Sequence, residues 1–340
     1  MMAAPWPRDE PLDERLLLVE PRRGAWHDGR IRDLPSWLTP GDLVVVNDAA
    51  TLPASFCATD PHDLPLELRL AADLGHGKWR AVLFGKGDWH TRTEDRAPPP
   101  VLAPGDNLRI SSELTATIEE VNPNAPRMLV VSFALEGAAL WLALYRHGRP
   151  VQYSHLAGAL RVWHTQTPFA SRPWAVEMPS AGRPLAWGLV ANLRARAIRV
   201  TAVTHAAGLS STGDPAIDAA LPFPERFDVP PGTVEAVARA RARRGRVVAV
   251  GTTVVRALEG CAAMHDGELV AGEAITDLRV RPGFRPQIVD GVLSGLHEIG
   301  SSHRELLQAF APEALLSRAF AHAEASGYLG HEFGDMCLVL

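Results

Sequence analysis

The sequence predicts a mixed α/β fold, with a barrel-like α/β main domain into which a small all-β barrel domain is inserted. Three observations lead to it. Between residues 64 and 133, short apolar or alternating runs are separated by Gly, Pro, Asp and Asn, the rhythm of a small barrel or sandwich. After Gln152, strand-like and helix-like stretches alternate. Strand patterns at 43–46 and 337–340 lie near opposite ends of the chain, so one α/β domain draws on both. The expected division is a discontinuous main domain, residues 1–63 and 148–340, around an inserted domain at 64–147.

Residues 43–46 are four consecutive apolar positions, entered by Gly41-Asp42 and left by Asn47-Asp48, which predicts a buried strand. In the inserted unit, runs at 66–70, 79–84, 108–110, 114–118 and 129–133 read as strands. Residues 91–104, with Pro98-Pro99-Pro100, read as a surface loop. The apolar stretch 128–145 is broken by Glu136-Gly137. A central carboxylate is costly in lipid, so this is a strand followed by a short helix rather than a membrane span. Residues 184–197 have a helical period and 198–204 form a β-branched strand. Gly232-Thr233 opens a helix running to about Arg244, with Thr233 as its N-cap. Residues 246–250 are a further strand, and Thr252 or Thr253 begins the next helix. Helices at 303–310 and 312–326 precede the last strand.

The chain has 340 residues, 46% of them hydrophobic, which excludes a disordered chain. Its formal charge of −5 gives no whole-molecule field attracting nucleic acid, although a local basic face remains open. Of 34 basic residues only Lys78 and Lys86 are lysines, a bias that genome composition explains. Cys57, Cys261 and Cys337 match no metal-ligand spacing and make no disulfide framework, which points to a reducing compartment. Residues 1–18 carry no signal-peptide pattern, so the cytoplasm is the expected location.

Chemistry concentrates in five segments. In the first, Val250-Gly251-Thr252-Thr253-Val254-Val255-Arg256, a strand ends in glycine and a helix begins. A helix N-terminus offers unpaired N–H groups to a carboxylate or phosphate, and Arg256, one turn in, could clamp it or simply pair with an acid. The second, Thr204-His205 through Gly208 to Asp214, follows a strand directly, where α/β sheets carry ligands. The third is Glu177-Met178-Pro179-Ser180-Ala181-Gly182. The fourth holds His297, Glu298, Ser301 and His303, without the i, i+4 histidines of a zinc helix. The fifth clusters His331, Glu332 and Asp335 before the last strand. No serine-hydrolase elbow, Walker loop or dinucleotide fingerprint is present.

Together these segments resemble the S-adenosylmethionine:tRNA ribosyltransferase-isomerase family of the queuosine pathway, from about Ile31 to Leu340. The matching runs are Ile31-Arg32-Asp33-Leu34-Pro35, Gly41 to Asp48, Gln166-Thr167-Pro168-Phe169-Ala170, Pro179 to Gly182 and Val250 to Glu259. Val289-Asp290, His297, Ser301, Tyr328, Gly334 and Asp335 also fall at corresponding places. The resemblance implies an α/β domain with an inserted β-barrel. It implies S-adenosylmethionine as ribosyl donor, with no metal. A base takes a proton from the carbon beside the sulfonium, adenine departs, an amine attacks, and methionine leaves as the ribose rearranges.

The departures concern the acceptor. Ala50 and Ser55 stand where the family has arginines, Arg183-Pro184-Leu185-Ala186 replaces L-H-F-T, and the family histidine near Thr204 is displaced to His205. Glu225 alone survives of an H-x-M-H-x-E stretch, with Pro222 and Phe223 replacing two of its residues. The resemblance thus assigns substrate contact to Asn47, Asp48, Pro179, Ser180, Ala181, Gly182, Thr204, Gly208, Gly251, Thr252, Thr253, Arg256 and Ser301. Proton transfer falls to His297, with Asp335 and Glu332 as alternatives and His205 and Glu177 as candidates particular to this chain. The acceptor is tRNA or, alternatively, a small amine or nucleoside; a non-catalytic nucleoside- or RNA-binding relative is the third reading. No membrane partner is expected.

Overall fold

The computed structural model describes residues 1–297 and 300–340; Glu298 lies outside the described residues. The chain begins with β1 (Arg15–Glu20), β2 (Ala25–Arg30), the one-turn α1 (Leu34–Trp37), β3 (Leu43–Asn47) and β4 (Ala49–Thr51). Six strands follow: β5 (Ser55–Thr59), β6 (Pro65–Gly75), β7 (Lys78–Phe84), β8 (Asn107–Arg109), β9 (Thr115–Val121) and β10 (Met128–Phe133). Next come α2 (Gly137–His147), β11 (Arg172–Ala175), α3 (Trp187–Ala195), β12 (Arg199–His205), α4 (Pro215–Asp218) and β13 (Glu225–Val229). The last part holds α5 (Pro231–Ala242), β14 (Val247–Val250), α6 (Thr252–Met264), β15 (Gly272–Thr276), β16 (Gly291–Gly295), α7 (Ser302–Leu307), α8 (Glu313–Ala325) and β17 (Met336–Val339).

The large sheet has nine strands in the order β15-β13-β12-β3-β14-β16-β17-β1-β2, and β5 to β10 close into a barrel. The central strand β3 shows why its sequence is apolar throughout: all five residues are buried. Leu43 and Val45 pack with Val237 of α5, Leu258 of α6 and Leu316 of α8. Val44 and Val46 face the other way, against Leu189 and Leu193 of α3. Alternate side chains of one strand therefore bind helices to both faces of the sheet. Barrel strands alternate instead. In β5, Phe56 and Ala58 turn inward while Cys57 is exposed, and α2 caps this core with Leu140, Ala143 and Leu144.

Two details differ from expectation. The barrel takes its first strand from Ser55–Thr59, upstream of residue 64, pairing β5 with both β6 and β8. Thr233 does not cap α5. That helix starts at Pro231, whose fixed φ suits the first turn, and the buried Thr233 hydroxyl donates to the Ala202 carbonyl (2.6 Å). The break at Glu136-Gly137 falls between β10 and α2, as the sequence predicts, and among the described residues no helix is long and apolar enough to cross a membrane.

Candidate active site

Strands β12, β3, β14 and β16 run parallel, so their carboxyl ends emerge on one side of the sheet. The segments that follow them meet a loop from the third motif and enclose a cavity of about 700 Å³. It is lined by residues 177–181, Ala207 to Ser210, Gly251 to Thr253, Ser294, Gly295, His297 and Gly300 to His303, with Glu225 and Arg256 at its wall.

The glycine at the head of α6 is required by the backbone. Gly251 sits at φ +93°, and its N–H donates to the Leu293 carbonyl (2.8 Å), turning the chain from strand into helix. The first turn of α6, with its unpaired N–H groups, thus stands at the cavity wall. Asn47 holds this corner. Its Nδ2 donates to Thr253 Oγ1 (3.2 Å) and to the His205 carbonyl (3.0 Å). Its Oδ1 accepts from the backbone N–H groups of Ala49 (3.0 Å) and His205 (2.9 Å). Next to it, Thr204 Oγ1 donates to Asp48 Oδ1 (2.5 Å). Asn47, Asp48 and Thr204 therefore brace the wall without lining it.

Arg256 corrects one expectation. It is not a free clamp: Nη1 pairs with Glu225, Nε donates to the Leu278 carbonyl (3.0 Å) and Nη2 to the Phe223 carbonyl (3.3 Å). Burial pushes its guanidinium down to about 10, still charged at neutral pH. What it presents to the cavity is Glu225, whose other oxygen accepts from the Gly208 N–H (2.7 Å). His205, fully buried behind this pair, also approaches Glu225 (3.5 Å). Burial first, and the charge of Arg256 second, hold its imidazole far below the usual histidine range.

His297 lines the cavity and stacks on His303, ring centroids 4.5 Å apart. Its Nε2 lies 3.1 Å from Ser294 Oγ, which orients the ring. Burial is the main reason that it too titrates well below the usual range, with His303, His331 and Arg304 adding to the effect. A neutral imidazole can accept a proton. Across the cavity, burial raises the Glu177 carboxyl, to which the Tyr153 hydroxyl donates and which also accepts from the Ser210 N–H (3.1 Å).

Of the remaining candidates, Pro179, Ser180, Ala181, Gly208, Thr252 and Ser301 line the cavity, whereas Gly182 lies just behind. Asp335 does not reach it. Fully buried, it accepts from Arg8 (2.7 Å) and from the backbone N–H groups of Arg15 and Leu329 (2.8 Å each), which makes it a loop staple. Glu332 lies outside as well, beside His155 (3.2 Å). Sequence reasoning missed Ser294, inside a strand, and Tyr153, in an irregular segment; neither carries a local signal.

A family model described as queuosine biosynthesis protein matches residues 2–339. An S-adenosylmethionine:tRNA ribosyltransferase-isomerase from Anaeromyxobacter dehalogenans is 34% identical, over 98% of this chain and 93% of its own. Proteins of the same name from Acidithiobacillus ferrooxidans (33% identical; 96% and 90% covered) and a Bradyrhizobium species (31%; 97% and 91%) are similar throughout. Among solved structures, an S-adenosylmethionine tRNA ribosyltransferase from Thermotoga maritima shares the fold, with a TM-score of 0.55 and 22% identity over 100% of this chain and 96% of its own. The chain belongs to the queuosine biosynthesis protein family.

Proposed function

We propose that this chain is an S-adenosylmethionine-dependent transferase-isomerase that moves the ribosyl part of the donor, with rearrangement, onto an amine carried by tRNA. The observation that carries the proposal is the convergence, in one cavity, of the open first turn of α6, the Arg256-held Glu225 and the neutral His297. The α6 N–H groups and the hydroxyls of Thr252 and Thr253 suit the methionine carboxylate of the donor. Glu225 suits the ribose hydroxyls as an acceptor. The sulfonium acidifies the carbon beside it, and in this reading His297 takes that proton. Adenine then leaves, the amine bonds to the ribose-derived carbon, and methionine departs with the electron pair of its C–S bond.

Incubation of the protein with S-adenosylmethionine and tRNA bearing an aminomethyl-7-deazaguanine base, followed by mass spectrometry, tests this. Free adenine and methionine with a mass gain on tRNA are expected. S-adenosylhomocysteine in their place would mean methyl transfer and reject the mechanism.

A second reading, the same donor chemistry on a small amine or nucleoside, is favoured by Ala50 and Ser55 in place of the family arginines and by the half-buried Glu177 in the cavity wall. Adenine release with such an acceptor and none with tRNA would select it. Both readings place the protein in the cytoplasm, where donor and acceptor are found.

A further inference from the structure

Outside the cavity, two loops distant in sequence bring together His155, His331 and Glu332, with one ligand atom of each within 4.8 Å of the others. His155 Nε2 lies 3.2 Å from Glu332 Oε2, yet that buried nitrogen has no hydrogen-bond partner among the described residues. The two imidazole rings sit 4.4 Å apart, centroid to centroid. Such a set of two imidazoles and a carboxylate is a donor set for first-row transition ions. A tetrahedral ion with bonds of about 2.0–2.2 Å places its donors about 3.4 Å apart, so small side-chain adjustments close the three around it.

Both loops are held in advance. Asp335 accepts from the Leu329 N–H, and Gly330 exchanges backbone hydrogen bonds with Met2 and Ala4, so the turn bearing His331 and Glu332 is tied at its base. The other loop is closed by Gln152, whose Oε1 accepts from the Leu160 N–H (2.9 Å) while its Nε2 donates to the Gly158 carbonyl (3.2 Å). Ligands carried on braced backbone lose little entropy on binding.

We propose that His155, His331 and Glu332 form a three-ligand site for a divalent first-row transition ion, leaving a fourth position open to water or a substrate atom. The site borders the cavity: the His155 ring runs nearly parallel to that of Tyr153 at 6.5 Å, and Tyr153 donates to Glu177 in the cavity wall. On its other side, His331 lines a second, smaller cavity together with His297 and Ser301; the ion site itself does not depend on the function proposed above.

The test uses the full chain, stripped with a chelator and titrated with Zn²⁺ against a competing dye, and with Co²⁺ for its visible bands. One equivalent of Zn²⁺ and a tetrahedral Co²⁺ spectrum are expected. His155→Ala, His331→Ala and the isosteric Glu332→Gln should each weaken Zn²⁺ binding tenfold or more, with metal-free melting temperatures checked alongside. His303→Ala, in the cavity pair, should leave it unchanged. Absence of stoichiometric binding overturns the proposal. So does binding that survives Glu332→Gln and His155→Ala but disappears in His303→Ala, which would move the ion to the cavity histidines.

Discussion

Nε2 of His205 lies 3.5 Å from Oε2 of Glu225, the same carboxylate oxygen that Arg256 engages. The strand end, the start of β13 and the second turn of α6 thus share one buried charge. Glu225 is 9% exposed and Arg256 6%, so removing either partner strands the other out of water.

Arg256→Ala should therefore cost about 3–5 kcal/mol of stability, because it leaves Glu225 buried without its counter-charge. Adding Glu225→Gln should recover part of that loss. Denaturant melts of the single and double variants check it. An Arg256→Ala protein of unchanged stability but weakened S-adenosylmethionine affinity would restore the free-clamp reading.

His297→Asn should lower turnover by roughly two to four orders of magnitude while calorimetric donor binding is largely preserved. Ser294→Ala, which frees the ring from its 3.1 Å partner, should have a smaller effect in the same direction. Should His297→Asn instead lower the melting temperature and leave turnover per folded molecule intact, the histidine is structural.

Acid should destabilise the protein through its buried and half-buried histidines. His303 is pushed down from 6.5 to about 4, chiefly by burial, so below pH 6.5 the unfolded chain takes up a proton that the folded chain refuses. The resulting stability is present above pH 6.5 and is lost as pH falls toward 4; His205 and His297 act in the same sense. Glu14, raised to about 7 by burial, opposes them between pH 4.5 and 7. The difference between wild type and His303→Phe removes that contribution. It should change by up to about 1.4 kcal/mol per pH unit across pH 4–6.5. A flat difference would refute the assignment.

The arginine-rich face lies at the end of the sheet away from the cavity. Arg194, Arg196 and Arg199 precede or begin β12, and Arg239 to Arg246 precede β14, so they flank the amino ends of strands whose carboxyl ends form the site. Arg239 pairs with Glu235 and Arg246 with Asp42. Replacing the exposed Arg196, Arg199, Arg243 and Arg244 by Gln should leave KM for a tRNA substrate within about twofold. If filter binding shows log affinity losing about 0.7–0.9 of its salt slope per arginine removed, the face engages phosphates after all.

Much of this molecule is legible in one dimension because burial imposes a period on the chain. Residues 43–46 read as a strand covered on both faces, the alternation from 66 to 133 as a barrel, and Gly251-Thr252-Thr253 as the open start of a helix. These are local properties, set by side-chain direction and backbone φ, and tertiary contacts reinforced them. Pairings between segments are different, since they depend on strand order and on which loops meet at the carboxyl ends. Arg256 reads equally well as a clamp or an ion-pair partner until β13 brings Glu225 against it. Thr233 reads as a cap until β12 offers a carbonyl to its hydroxyl. Asp335 reads as a candidate for proton transfer until Arg8 and two backbone N–H groups occupy it. His155 gains chemical meaning only when folding sets it beside His331 and Glu332, because hydrogen bonds and metal ligation act over a few ångströms of space and carry no signature in sequence separation.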